Sequence, residues 1–130
     1  MLTIEDSKVF ADFKYAPNRF ASLYSVCLNL NKLKIRETEF KSLLNLIGNL
    51  LNLSRIYLNC AESLIWTFRT KSLLSPLANL LNLSSLTINL YGNEIGDIGA
   101  QSLLSPLANL LNLSSLTINL ECNRIRDIGA

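Results

Sequence analysis

The sequence predicts an α/β repeat fold: a short curved solenoid with parallel strands on its inner face and helical segments on its outer face. Three observations lead there. Residues 71–130 are one 30-residue unit written twice, KSLLSPLANLLNLSSLTINLYGNEIGDIGA and then QSLLSPLANLLNLSSLTINLECNRIRDIGA. The copies differ only at 71/101, 91/121, 92/122, 94/124 and 96/126, and self-similarity at such a period marks stacked supersecondary units. Within each unit, apolar residues first recur at every second position and then at helical spacing. Finally, 49% of the chain is hydrophobic and only 17% is charged, a composition that supports a core and argues against disorder.

The period extends toward the N-terminus. Residues 41–70 begin KSLLNLIGNLLNLSRIYLNC, matching the opening of 71–90, and diverge over 61–70. Residues 11–40 keep the apolar skeleton alone: Leu23, Val26, Leu28, Leu30 and Ile35 fall on Leu53, Ile56, Leu58, Cys60 and Ile65. The expectation is one domain over 1–130 with four units, at about 11–40, 41–70, 71–100 and 101–130, the last truncated. Residues 1–20 read as a preamble or cap. Their aromatic residues Phe10, Phe13, Tyr15 and Phe20 could cover the end of a stack, as terminal repeats must.

Taken in order within a unit, the strand comes first. Leu86, Ile88 and Leu90 alternate with Thr87 and Asn89, which gives one buried and one open face. The same alternation appears at Val26–Leu30, Ile56–Cys60 and Leu116–Leu120. Asp97 is placed to cap the helix that follows by accepting hydrogen bonds from its first N–H groups. Leu103, Leu107 and Leu110 at i, i+4 and i+7 then form one helical stripe. Pro76 and Pro106 interrupt it, because proline lacks an N–H and clashes with the preceding turn. Ser105-Pro106 also reads as a new helix start, so the helical side is expected to kink or split near both prolines. Asn52, Asn82 and Asn112 open glycosylation sequons of the form Asn-Leu-Ser. Their 30-residue recurrence marks them as turn residues ahead of each strand.

The pattern L-x-x-L-x-I-x-L-x-x-N-x-I resembles a leucine-rich repeat of the ribonuclease-inhibitor type. It is carried by Leu83, Leu86, Ile88, Leu90, Asn93, Ile95, Gly99, Leu103 and Leu107, and again by Leu113, Leu116, Ile118, Leu120, Asn123, Ile125 and Gly129. The spelling is similar to repeat arrays of protist proteins, some attached to kinase-like domains. The resemblance implies a horseshoe segment with concave strands and convex helical segments. It also implies that Asn93 and Asn123 turn inward onto backbone groups, and that Gly99 and Gly129 let helix and strand approach. Leu33 and Ser63 replace that asparagine in the first two units, and Glu39 and Arg69 replace the glycine. The asparagine ladder is therefore expected to be absent there.

Composition narrows the function. The chain has no histidine, which removes imidazole bases, histidine-containing nucleophile systems and histidine-bound metals. Gly92, Gly96 and Gly99 do not have dinucleotide-loop spacing, and no Walker-type lysine follows a glycine turn. Glu94 and Asp97 read as a loop charge and a helix cap. No enzyme, cofactor or metal is expected. Net charge is +2 without a Lys/Arg run, a poor footprint for nucleic acid. Cys27, Cys60 and Cys122 have neither metal nor disulfide spacing, which fits reduced thiols in the cytoplasm. The N-terminus carries Glu5, Asp6 and Lys8 where a signal peptide has its apolar region. The apolar run Leu43–Leu53 is interrupted by Asn45, Gly48, Asn49 and Asn52, short of a membrane span.

What remains is the open strand face, where solenoids bind partners along their curvature. Its candidate partner-binding residues are Arg55, Tyr57, Asn59, Thr87, Asn89, Tyr91, Thr117, Asn119 and Glu121. Tyr and Arg are enriched at binding hot spots. The sequence-level expectation is a non-catalytic protein–protein interaction module. The alternatives are a regulatory fragment of a larger signalling protein of the kinase-like kind, or a structural remnant without a dedicated ligand. The last strand lacks a following helix in the sequence, so its edge is expected to favour self-association.

Overall fold

Parallel strands need a crossover between them, and the alternation of strand and helical spacing supplies one per unit. The computed structural model describes residues 2–4, 23–32, 36–63 and 74–126. Its strands are β1 (Leu2–Ile4), β2 (Ser25–Asn29), β3 (Arg55–Asn59), β4 (Ser85–Asn89) and β5 (Ser115–Asn119). They form one sheet in chain order, and every pairing is parallel. From β2 to β5 the register offset is one sequence period: Val26 pairs with Ile56, Ile56 with Leu86, and Leu86 with Leu116. Each strand starts one residue before the alternation predicted.

The N-terminal stretch contributes a strand that the sequence pattern did not show. Leu2 pairs with Val26 and Ile4 with Leu28, so β1 extends the sheet from within the stretch read as a preamble or cap. Its offset from β2 is not the repeat period, which is why stepping in 30-residue intervals misses it. Phe10, Phe13, Tyr15 and Phe20 lie outside the described residues, as do Leu33, Ile65, Arg69 and Gly129.

The helical side shows what one proline does. Helix α1 (Glu37–Gly48) is continuous, with Phe40, Leu43, Leu44 and Ile47 all buried on one stripe. One and two periods later, Leu46 becomes Pro76 and Pro106. A proline ring there cannot donate the i→i−4 bond and crowds the preceding turn. The α-helical path stops accordingly: α2 (Asp97–Leu104) gives way to a 3-10 segment at Ser105–Asn109 with Pro106 at its start. Ser75–Asn79 is the same 3-10 segment around Pro76. The predicted split is present at Pro106, while at Pro76 only the 3-10 part lies among the described residues; neither Ser75 nor Ser105 makes a side-chain cap. Leu103, Leu107 and Leu110 are buried as the stripe predicts.

Asp97 is a correction. It is the first helical residue, Gly96 occupies the cap position, and no side chain caps the helix. The carboxylate is taken up one unit on: its Oδ1 accepts the Arg126 backbone N–H at 2.7 Å and its Oδ2 lies 2.8 Å from Arg126 Nε. These hydrogen bonds hold the Asp97 carboxyl below its usual pKa range.

The core lies between the inner sheet face and the helical segments. Val26, Leu28, Ile56, Leu58, Leu86 and Ile88 from the strands join Leu43, Ile47, Leu77 and Leu107 in one buried cluster. Helix α1 packs on the Ser75–Asn79 segment, which packs on Ser105–Asn109. The first of these contacts is close enough to specify a residue: a Cβ on Gly48 would lie 2.5 Å from the Pro76 carbonyl oxygen. No helix among the described residues is long and apolar enough to cross a membrane.

Candidate functional site

With its apolar residues committed inward, the sheet turns the alternate positions outward, and the register lines them up. Ser25, Arg55, Ser85 and Ser115 form one row; Cys27, Tyr57, Thr87 and Thr117 the next; Asn29, Asn59, Asn89 and Asn119 the third. Rows of side chains across parallel strands stand about 4.8 Å apart, so each row is a nearly continuous strip. Arg55 and Tyr57 are exposed, and Asn59, Thr87 and Asn89 half-buried. Ser25 is the exception, at 9% exposed.

Cys27, Arg55, Tyr57, Ser85 and Thr87 surround an open hollow of about 390 Å³ over β2–β4. Arg55 has no acidic partner among the described residues. The other pairings of arginine are elsewhere, with Arg36 on Glu39, Arg124 on Glu94 and Arg126 on Asp97. The sites expected from sequence are thus brought together in part: Arg55, Tyr57 and Thr87 share the hollow, and Asn59 and Asn89 stand together in the next row along the strands. Thr117 and Asn119 sit on β5, the last strand of the sheet; Thr117 is exposed and Asn119 half-buried like its row partners.

Tyr91 and Glu121 lie past the strand ends, in the turns that follow β4 and β5. The neighbouring Cys122 raises the Tyr91 phenol pKa, and the nearby Glu62 and Glu121 charges act the same way. This end of the face is acidic, whereas the Arg55 end is cationic. Burial pushes the Cys60 thiol pKa far up, leaving that thiol inert.

The third row has a regular internal geometry. Asn29, Asn59, Asn89 and Asn119 each accept, through Oδ1, the backbone N–H two residues ahead, from Asn31, Ala61, Tyr91 and Glu121 at 2.9–3.3 Å. Local bonds of this kind terminate strands. They also orient the amides, placing each Nδ2 away from the turn.

Asn93 and Asn123 occupy a different place, beneath the turns. Asn93 is fully buried; its Nδ2 donates to the Cys60 and Leu90 carbonyls at 2.8 and 3.1 Å, and its Oδ1 accepts Ser63 N–H at 3.2 Å. Asn123 repeats this one unit on, donating to Leu90 and Leu120 at 2.8 and 2.9 Å. The expected break at Ser63 does not occur. Ser63 Oγ donates to the Leu30 carbonyl at 2.6 Å, so a hydroxyl takes the place of the amide and the ladder continues. Gly99 is exposed, and a Cβ there would meet Ile95 at 3.2 Å; its tight neighbour is the preceding loop and not a strand. Asn82 and Asn112 use their amides to hold the Leu51 and Leu81 carbonyls, in turns ahead of β4 and β5.

Sequence reasoning picked out Arg55 and Tyr57 but missed the hollow, because it exists only where β2, β3 and β4 lie side by side. The signal available was the single Arg in an otherwise Ser column.

No protein-family model matches the chain, and no curated protein or solved structure matches it.

Proposed function

We propose that this protein is a non-catalytic protein-binding module, built as a leucine-rich-repeat solenoid of four 30-residue units, that holds its partner on the open strand face. The observation that carries the reading is the hollow over β2–β4, where Arg55 and Tyr57, with Tyr57 42% exposed, stand together on a rigid sheet. Two residue types favoured at binding hot spots occupy neighbouring rows there, and the scaffold beneath them is the buried core. Further support comes from where the near-identical units differ: four of the five differing positions lie between residues 91 and 96 or their partners, in the turns that rim the face. Variation confined to a rim while the core stays fixed is the arrangement a recognition surface uses.

The test is capture of a partner by the wild-type chain and by a Tyr57→Ala/Tyr91→Ala variant. Capture should be lost with the circular dichroism unchanged. Retention of the partner by the folded variant would remove the strand face from the binding surface.

A second reading, self-association along β5, has its own support. Leu116 is 49% exposed although Leu86, in the identical pentapeptide SLTIN, is fully buried. An open sheet edge beside an exposed leucine is a template for pairing. Sedimentation equilibrium should show a concentration-dependent mass that Leu116→Lys reduces; a clean monomer across concentrations would dismiss this reading.

A further inference from the structure

We propose that the segment held on this face is acidic: an extended stretch of a partner protein that sets an Asp or Glu carboxylate between Arg55 and the asparagine row. This rests on the partner-binding reading above and adds the chemistry of what is bound.

The argument is one of hydrogen-bond polarity. Every Oδ1 in the asparagine row is already engaged by a backbone N–H. Of the four Nδ2 groups, the Asn59 one donates to Asn29 Oδ1 at 3.3 Å. Those of Asn29, Asn89 and Asn119 have no acceptor among the described residues. The row therefore offers three uncommitted donors, while every one of its acceptors already carries a bond. Arg55, two rows away, is donor-only as well, and it carries a charge that no acid of the described residues neutralises. Between them, Tyr57 and Thr87 present hydroxyls, which adapt to either role. A ligand that satisfies such a field must bring acceptors, and one that also answers Arg55 must bring negative charge. A guanidinium fork and a carboxylate match in both respects.

The same geometry excludes a polyanion. Past the asparagine row, around Tyr91, the face turns acidic with Glu62 and Glu121, while Lys32 holds the equivalent turn after β2. Repeated phosphates laid along the strands would meet those charges, whereas a single carboxylate at the Arg55 end does not. The acid is therefore isolated in the bound segment, and neutral or basic residues follow it toward Tyr91.

A random peptide-display library selected on the intact chain, with the Tyr57→Ala/Tyr91→Ala variant for counter-selection, tests this. Retained peptides should be enriched in Asp and Glu. The synthetic form of an enriched peptide should bind Arg55→Gln about tenfold more weakly or worse, as loss of one charged contact predicts. Arg55→Lys should fall between the two, and Arg55→Glu should select Lys- or Arg-bearing peptides instead. Arg55 is exposed, so these variants should keep the wild-type circular dichroism. Tyrosine-dependent peptides without an acidic excess, or acidic ones indifferent to Arg55→Gln, would overturn the inference and leave the partner-binding reading standing. A library yielding no tyrosine-dependent peptide at all would remove both.

Discussion

Asn123 holds Asn93 by its backbone: the Asn123 Oδ1 accepts the Asn93 N–H at 3.1 Å, and Asn93 Oδ1 in turn accepts Ser63 N–H at 3.2 Å. The two asparagines are one sequence period apart and their Nδ2 groups donate to equivalent carbonyls, but Asn93 is buried and Asn123 half-buried. Removing a buried amide strands every group it satisfied, at about 1–3 kcal/mol per group. Asn93→Ala should therefore cost about 3 kcal/mol or more, and Asn123→Ala about half as much, because water can replace part of its network. Urea unfolding of the two variants gives the comparison.

The turn after each strand has a hidden requirement. Lys32, Glu62, Gly92 and Cys122 align at the 30-residue period, and all have positive φ, between 51° and 66°. Only one of the four is glycine. A left-handed residue other than glycine is strained by about 1 kcal/mol, partly offset because glycine loosens the unfolded chain. Cys122→Gly and Glu62→Gly should each leave the protein as stable or up to about 1 kcal/mol more so, whereas Gly92→Ala should destabilise it by about 1 kcal/mol. Thermal melts would show the opposite signs.

Gly48 sits where α1 meets the backbone of Pro76. A methyl group 2.5 Å from the Pro76 carbonyl oxygen cannot be absorbed by rotating a side chain, so helix and segment must part. Gly48→Ala should cost about 1–3 kcal/mol in the manner of overpacking, against the usual gain of replacing glycine in a helix. A denaturation midpoint at or above wild type would show that the contact is looser.

Leu86 and Leu116 separate sequence from position. They sit in identical pentapeptides and pair with each other across β4 and β5, yet one is fully buried and the other half-exposed. Leu86→Lys places an unpaired charge in the core and should prevent folding, while Leu116→Lys should cost about 1 kcal/mol or less. Circular dichroism of the two variants distinguishes them at once.

Most of the sheet was legible in the sequence because alternation and the 30-residue period are both written in Leu and Ile, the residues that the core buries. The split of the helical side at Pro106 was legible because a proline there forbids a continuous α-helix. Three features were not legible. Ser63 could not be read as an asparagine substitute, since its partner, the Leu30 carbonyl, lies on the neighbouring strand's turn. The left-handed positions were hidden by unrelated residue types, Lys, Glu and Cys. Asp97 has a cap's composition, but its stronger partner, Arg126, comes from the next unit. Contacts between units are invisible to a reading made within one.

The account depends on residues 30 apart standing side by side on the open face. Cys27 and Tyr57 are register partners on β2 and β3, and neighbouring strands at about 4.8 Å fall within disulfide reach. In a Cys122→Ser background, mild oxidation of Tyr57→Cys should link that position to Cys27, read by peptide mass mapping, while Arg55→Cys and Asn59→Cys link poorly. Preferential linkage at either flanking position, or none at any, would contradict the register and the rows of side chains built on it.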